Sequence, residues 1–272
     1  MKINTKIKFI KVKNRKIKII ILSSKKETTK KVPCIMWIHG GGYSMGMPEM
    51  VYASRIHDLI KENELVVISP RYRLSITSPY PAALEDCYSI LLYIKNNAKS
   101  LGIDPNKIML GGESAGGGLA LATAIYARDM HEVPIKYVFP LYPMIDCDDT
   151  ESSKDNHGHI WNTRKNHHAW KKYLGPLYNT KNISPYASPA KLKDFKNIPP
   201  FYTFVGDGEP FYKETIDFTN KAKEAGIDAK CDVYHSDVHA FDVYSAFTDA
   251  GINARNNFIK NYEYVKKKYL ND

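Results

Sequence analysis

The 272-residue sequence contains only four cysteines, and they form no metal-binding or redox motif. Cys34, Cys87, Cys147 and Cys231 are far apart, and no C-x-x-C pair is present. Scattered cysteines are typical of reduced thiols in a cytoplasmic protein. The spacing therefore speaks against a zinc site and against a disulfide framework, and we expect no metal and no cofactor.

Long apolar runs are also missing. A helix that spans a membrane needs about 20 consecutive apolar residues, and no stretch of this chain approaches that length. The first ten residues are interrupted by Lys2, Lys6 and Lys8, and no apolar core of a signal peptide follows them. We therefore expect a cytoplasmic protein without a membrane partner.

Acidic residues are almost absent from residues 1–31. This segment holds twelve of the 39 Lys and Arg but only one of the 29 Asp and Glu, so it accounts for the formal net charge of +10. Lysine alternates with apolar residues over 5–22, which predicts a hairpin of two strands turning at Asn14, half-buried on one face and solvated on the other. Binding of an anionic surface or polymer is the alternative, but no nucleic-acid motif supports it.

Apolar runs and amphipathic stretches alternate along the rest of the chain. Such alternation predicts a mostly parallel sheet with helices on both faces. The predicted strands are 32–38, 64–69, 108–112, 135–141, 200–205 and 229–234. The predicted helices are 49–61, 82–98, 114–130 and 211–225, with one or two terminal helices over 241–269.

Residues 143–198 interrupt this alternation with an irregular stretch rich in aromatic and polar residues. A chain of this length suits one domain over 1–272, and we expect the interruption to form a cap or lid inserted within it. Four histidines here raise the alternative of a metal site: His157, His159, His167 and His168. Their spacing matches no known ligand arrangement, so a plain polar cap surface is favoured.

One serine stands among small residues where a predicted strand meets a predicted helix. The stretch Gly112-Glu113-Ser114-Ala115-Gly116 is the pattern G-x-S-x-G. Glycines leave room for a sharp turn that exposes the serine hydroxyl above the sheet, and the following helix N-terminus favours negative charge in front of it. A glycine-rich turn with an ordinary serine is the alternative, so the pattern needs a base and an acid elsewhere.

Candidates for both groups follow later strands. Asp207 and Glu209 come after the strand at 200–205, and His239 comes after the last strand, with His235 as a weaker alternative. The chain order serine, acid, histidine is the order used in α/β-hydrolases. A serine hydroxyl needs a neutral imidazole to take its proton and a carboxylate to orient that imidazole.

Five motifs together resemble the hormone-sensitive-lipase-like branch of the α/β-hydrolases, with small bacterial acetyl esterases as the nearest likeness. The motifs are His39-Gly40-Gly41-Gly42, Arg71-Tyr72-Arg73-Leu74, Pro81-Ala82-Ala83-x-Glu85-Asp86, Gly112-Glu113-Ser114-Ala115-Gly116-Gly117 and His239-Ala240-Phe241.

The resemblance implies a role for each matching residue. Ser114 is then the nucleophile and His239 the general base, while the N–H groups of Gly41, Gly42 and Ala115 form the oxyanion hole. The family usually places Asp at the position of Glu209, and because Glu can also serve there, Glu209 is the expected acid and Asp207 the alternative. Larger members have a helical N-terminal cap, whereas the start of this chain predicts a basic hairpin.

The expected function is a serine carboxylesterase that hydrolyses short, acetyl-type esters of small molecules, with acetylated sugars as one candidate class. The alternatives are a non-catalytic small-molecule receptor on the same fold and a peptidase or amidase. The last strand, 229–234, is a candidate sheet edge for a homodimer.

Overall fold

A computed structural model describes residues 2–12, 14–24 and 31–271 of the chain. The predicted hairpin turn falls partly outside these residues, since Lys13 is not among them. Within the described ranges, eight strands form one sheet in the order β1-β2-β4-β3-β5-β6-β7-β8. The strands are β1 Asn4–Val12, β2 Arg15–Ser23, β3 Val32–Ile38, β4 Val66–Pro70, β5 Ile103–Glu113, β6 Val138–Leu141, β7 Phe201–Gly206 and β8 Ala229–Tyr234.

The sheet is parallel from β4 to β8, and only the β1–β2 and β2–β4 pairs are antiparallel. The expected α/β-hydrolase architecture, a mostly parallel sheet between helices, is therefore confirmed. Its helices are α1 Ile56–Glu62, α2 Ala82–Asn96, α3 Ala98–Leu101, α4 Ala115–Met130, α5 Thr163–Leu174, α6 Tyr212–Glu224, α7 Phe241–Tyr244 and α8 Asp249–Val265. Short 3-10 helices cover Pro48–Tyr52, Gly175–Leu177 and Pro189–Lys191, and a π-helical turn covers Lys266–Leu270.

Two apolar layers sandwich the sheet. Helices α2, α4 and α6 bury one face, and α1 and α8 bury the other. The central strands β3 and β4 are almost wholly buried, which explains why their sequences are continuous apolar runs rather than alternating ones. None of the helices in the described residues is both long and apolar enough to cross a bilayer.

The prediction of a half-buried outer strand is wrong for most of β1. Ile7 is 54% exposed and Phe9 is 65% exposed, and Ile10 is the buried residue of this strand. The reason is position, because β1 is an edge strand of the sheet. Within the described residues it pairs with β2 alone. Most of the buried part of the hairpin belongs to β2, in which Ile17 and every residue from Ile19 to Leu22 are buried.

Two strands begin three or more residues away from their predicted starts. The strand β5 begins at Ile103, earlier than the predicted start at residue 108, because Ile103 pairs with Val32 of β3. The strand β6 begins at Val138, three residues later than expected. Neither difference moves the carboxyl ends of the strands, and these ends carry the candidate site.

Candidate active site

Ser114 occupies the sharp turn between β5 and α4. Its backbone has φ 57° and ψ −122°, a strained conformation for a residue with a side chain. The two glycines of the pattern are required by packing. A Cβ at Gly112 would lie 2.5 Å from the Ile38 carbonyl oxygen, and one at Gly116 would overlap the same oxygen. The turn is therefore held tightly against β3, with the N-terminus of α4 directly behind Ser114.

Three predicted side chains meet above the sheet. The Oγ of Ser114 lies 2.9 Å from the Nε2 of His239. The Nδ1 of the same imidazole contacts the Oε2 of Glu209, and the other oxygen of Glu209 accepts a hydrogen bond of 2.9 Å from the N–H of Gly206. All three side chains are buried. Glu209 can thus fix the tautomer of the imidazole, leaving Nε2 free to accept the serine proton.

The other candidate acid lies elsewhere. Asp207 is exposed, and it accepts hydrogen bonds from the Ser236 N–H at 3.1 Å and from the Nδ1 of His235 at 3.0 Å. The pair is mutually stabilising, since Asp207 raises the pKa of His235 and His235 lowers the pKa of Asp207. Asp207 and His235 therefore form a surface pair of their own, apart from Ser114.

The loop after β3 passes beside Ser114 with glycines in the left-handed region. Gly41 has φ 109° and Gly42 has φ 56°. No acceptor within the described residues takes the N–H groups of Gly41, Gly42 or Ala115. Both loop glycines line the cavity in front of Ser114, while Ala115 is fully buried at the first position of α4. Unpaired N–H groups at this place can donate hydrogen bonds to a developing oxyanion.

His39 supports this loop. It is buried and stacks on the ring of Tyr72, with 4.2 Å between the ring centroids. The Tyr72 hydroxyl donates to the His39 carbonyl oxygen at 2.9 Å. Burial lowers the pKa of His39 to about 4, so the ring is neutral near pH 7. The adjacent Arg73 binds Asp86 through its backbone N–H and its guanidinium, which joins two of the sequence motifs beneath the loop.

A cavity of about 300 Å³ opens in front of the Ser114 hydroxyl. His239, Gly41 and Gly42 lie in its wall. The remaining wall is largely apolar. Its main apolar side chains are Met45, Met50, Ile160, Trp161, Val243 and Tyr244. The volume is at the lower end of the range for small-molecule sites, which is about 300–1,000 Å³.

The segment 143–198 contributes part of this wall through Ile160 and Trp161. The indole ring of Trp161 fills the space that a Cβ at Gly42 would need, and it lies 6.3 Å from the His239 ring. Of the histidines in this segment, His167 contacts Asp149 at 2.8 Å and His157 contacts Asp155 at 3.1 Å.

No metal-binding cluster of three His, Cys, Asp or Glu side chains occurs among the residues described. The four cysteines, which all lie within those residues, are unpaired.

Comparison with known proteins places this architecture in a family. A family model described as the alpha/beta hydrolase fold matches residues 35–243. The chain belongs to this family. Its similarity to proteins named as esterases confirms the resemblance to the hormone-sensitive-lipase-like branch that the five motifs indicated.

Individual relatives resemble this α/β-hydrolase over most of its length. It is 30% identical to an AB hydrolase superfamily protein of Schizosaccharomyces pombe, over 80% of this chain and 66% of that protein. It is also 30% identical to an arylesterase of Saccharolobus solfataricus, over 85% of this chain and 75% of the relative. The solved structure of a bacterial heroin esterase superimposes with a TM-score of 0.89 at 28% identity, covering 95% of this chain and 83% of the other.

Some side chains around the site were not anticipated from the sequence of this α/β-hydrolase. Tyr142 packs edge-on against the His239 ring at 5.2 Å, and Asp242 is buried three residues after His239. Arg55 reaches Asp242 from the start of α1. A charged residue beside His-Ala-Phe was the available signal for Asp242, whereas nothing in the local sequence marks Arg55.

Proposed function

We propose that this protein is a serine carboxylesterase that hydrolyses short-chain acyl esters of small molecules through an acyl-enzyme. Ser114 is the nucleophile, His239 the general base and Glu209 the acid. The observation that carries the proposal is the 2.9 Å separation of the Ser114 Oγ and the His239 Nε2, with Glu209 against the other ring nitrogen. Family membership supports the same reaction class.

The reaction follows from these positions. His239 takes the Ser114 proton as Oγ attacks the ester carbonyl, and the N–H groups of Gly41, Gly42 and Ala115 stabilise the resulting oxyanion. The imidazolium then protonates the leaving alcohol, and the acyl group remains on Ser114. A water molecule, activated by the same imidazole, releases the acid and restores the hydroxyl.

The size and lining of the cavity support small apolar substrates. About 300 Å³ suits a short acyl group and a small alcohol. The wall offers mainly methionine, isoleucine, valine and aromatic side chains, and few polar groups that could orient sugar hydroxyls. We therefore favour acetyl to butyryl esters of small apolar alcohols over acetylated sugars.

The remaining parts of the hypothesis concern organisation. Residues 143–198 act as the cap of a single domain, since Ile160 and Trp161 of this segment close one side of the cavity.

The four unpaired cysteines suit a reducing cytoplasmic compartment. The strand β8 lies at the edge of the sheet, where a second copy could pair with it. Light scattering would test the dimer.

Replacing Trp161 by alanine should shift the acyl-chain preference towards longer chains. The change removes a ring that lies against Gly42 inside the cavity and so enlarges the space near Ser114. We expect kcat/KM for p-nitrophenyl octanoate, relative to acetate, to rise by about tenfold, which corresponds to about two more buried methylenes at roughly 0.8 kcal/mol each. Phe247→Ala is the control, because that ring is 98% exposed and does not line the cavity. An unchanged acyl-chain preference in Trp161→Ala would show that the acyl group does not bind beside Trp161.

Parallel assays on an ester and its matching amide test the reaction class. An esterase hydrolyses p-nitrophenyl acetate and leaves p-nitroacetanilide almost untouched. Comparable rates on both would favour the amidase alternative, and no reaction with either would favour a non-catalytic receptor.

A further inference from the structure

Two buried carboxylates lie beside the proposed machinery and take no part in the reaction described above. Glu113 directly precedes Ser114, and Asp242 follows His239 by three residues, in the first turn of α7. Both side chains are buried, Asp242 completely. Buried carboxylates are costly unless they are paired or hydrogen-bonded, so each needs a physical reason for its place.

Arg55, at the start of α1, connects the two carboxylates. Its backbone N–H donates to the Oε1 of Glu113 at 3.3 Å. Its guanidinium Nε lies 3.5 Å from the Oδ2 of Asp242. The side chain of Arg55 is itself mostly buried. One residue thus touches both the turn that carries Ser114 and the helix that follows His239.

Few contacts other than Arg55 offset the cost of burying the Asp242 carboxylate. Arg55 gives the largest stabilisation of the ionised Asp242 carboxylate, ahead of the Tyr142 hydroxyl and the backbone N–H of Asp242 itself. Losing that pair would leave an uncompensated buried charge, and the start of α7 would be free to move. Because His239 lies only three residues before, such a movement would change the distance between its imidazole and Ser114.

We propose that Glu113, Arg55 and Asp242 form a positioning cluster that holds the Ser114 turn and the His239 loop at the spacing that proton transfer needs. The inference rests on the proposed function, because it assigns the cluster to the Ser114–His239 pair. It adds three positioning residues, of which Glu113 also lines the cavity in front of Ser114.

The charge state of the cluster follows from its surroundings. Burial, reinforced by Asp242, raises the pKa of Glu113 to about 8, whereas Arg55 opposes the shift. Burial raises the pKa of Asp242 to about 6, again opposed by Arg55. Near pH 7, Asp242 is therefore ionised and paired with Arg55, while Glu113 keeps its proton. Above about pH 8, a second negative charge appears beside the first.

Within the described residues, the groups beside the cluster other than Arg55 are the Tyr142 hydroxyl, the carboxylates of Glu209 and Asp58, and the guanidinium of Arg255. Tyr142 lies near both carboxylates, and burial raises its pKa well above the usual value, so it stays neutral. Asp58 of α1 lies 3.1 Å from the Nη1 of Arg55, and Arg255 of α8 pairs with Asp58 at 3.0 Å. Ionised Glu113 would therefore compete with Asp242 for Arg55.

Kinetics of Asp242→Asn and Asp58→Asn with p-nitrophenyl acetate, together with melting temperatures, separate positioning from stability. Both variants remove a carboxylate from Arg55, but only Asp242 follows the His239 loop. We expect Asp242→Asn to lower kcat by at least about tenfold and to change KM by less than about twofold. The reason is that a small misplacement of the reacting groups greatly lowers the rate. Asp58→Asn should keep kcat within about twofold. Equal kcat and KM values in the two variants would overturn the proposal.

The pH profile of Glu113→Gln gives a second test of the proposal. This test remains available when Asp242→Asn does not fold. The kcat of the wild type should fall above about pH 8, as Glu113 ionises. Glutamine cannot ionise, so Glu113→Gln should lose less of its own pH 7 activity between pH 8 and 10. An alkaline limb identical to that of the wild type would overturn the proposal. If the wild type itself neither hydrolyses the ester nor reacts with a fluorophosphonate at Ser114, the proposed function fails instead.

Discussion

Replacing Ser114 by alanine is expected to lower kcat for p-nitrophenyl acetate by about 10⁴- to 10⁶-fold, the loss typical of a missing serine nucleophile. The substitution removes only Oγ, and the strained backbone at φ 57° can be held by alanine as well as by serine. We therefore expect an unchanged fold and a melting temperature within a few degrees of the wild type. The residual rate would come from the N–H groups of the Gly41–Gly42 loop and from binding alone.

The control for this experiment is Ser100→Ala, on the surface at the end of α3. That variant should keep the wild-type kcat. If Ser114→Ala retains more than about a tenth of the wild-type rate, the nucleophile must be a different group, because its hydroxyl is the one that contacts His239.

Replacing Glu209 by glutamine is expected to reduce kcat by about 10³- to 10⁴-fold, as in other triads that lose the carboxylate. Glutamine has nearly the same size, so its Oε1 can still accept the Gly206 N–H. Its amide cannot hold the imidazole in the tautomer that leaves Nε2 free for Ser114. The readout is kcat at several pH values, with the melting temperature as a check on folding.

Asp207→Asn is the matched comparison. Its carboxylate is exposed and binds His235 and the Ser236 N–H, so its removal should change kcat by less than about twofold. A large loss in Asp207→Asn with a small one in Glu209→Gln would reverse the assignment of the acid.

The sequence was sufficient to predict the fold class and the alternation of strands and helices, because buried parallel strands have continuous apolar sequences. It also indicated which loops meet at the carboxyl edge. It could not choose between Asp207 and Glu209, since two acids in one turn differ only in the direction of their side chains. In the structure, Glu209 is buried against His239 and Asp207 faces solvent.

Two further features could not be read from local sequence. The lysine pattern of β1 was interpreted as a half-buried strand, but burial depends on whether a helix covers the strand, and Ile7 and Phe9 remain exposed at the sheet edge. The contact of Arg55 with Asp242 joins residues far apart in the chain. Neither residue belongs to a motif that predicts the other, and only the folded chain brings them together.

The most direct test of the central claim is mass spectrometry of the protein after reaction with a fluorophosphonate. This reagent forms a stable adduct with a serine whose proton is taken by a neighbouring imidazole. The account predicts one adduct per chain, mapped to the peptide that contains Ser114, and its loss in His239→Ala. An adduct at another residue, or none on a folded wild-type protein, would contradict it.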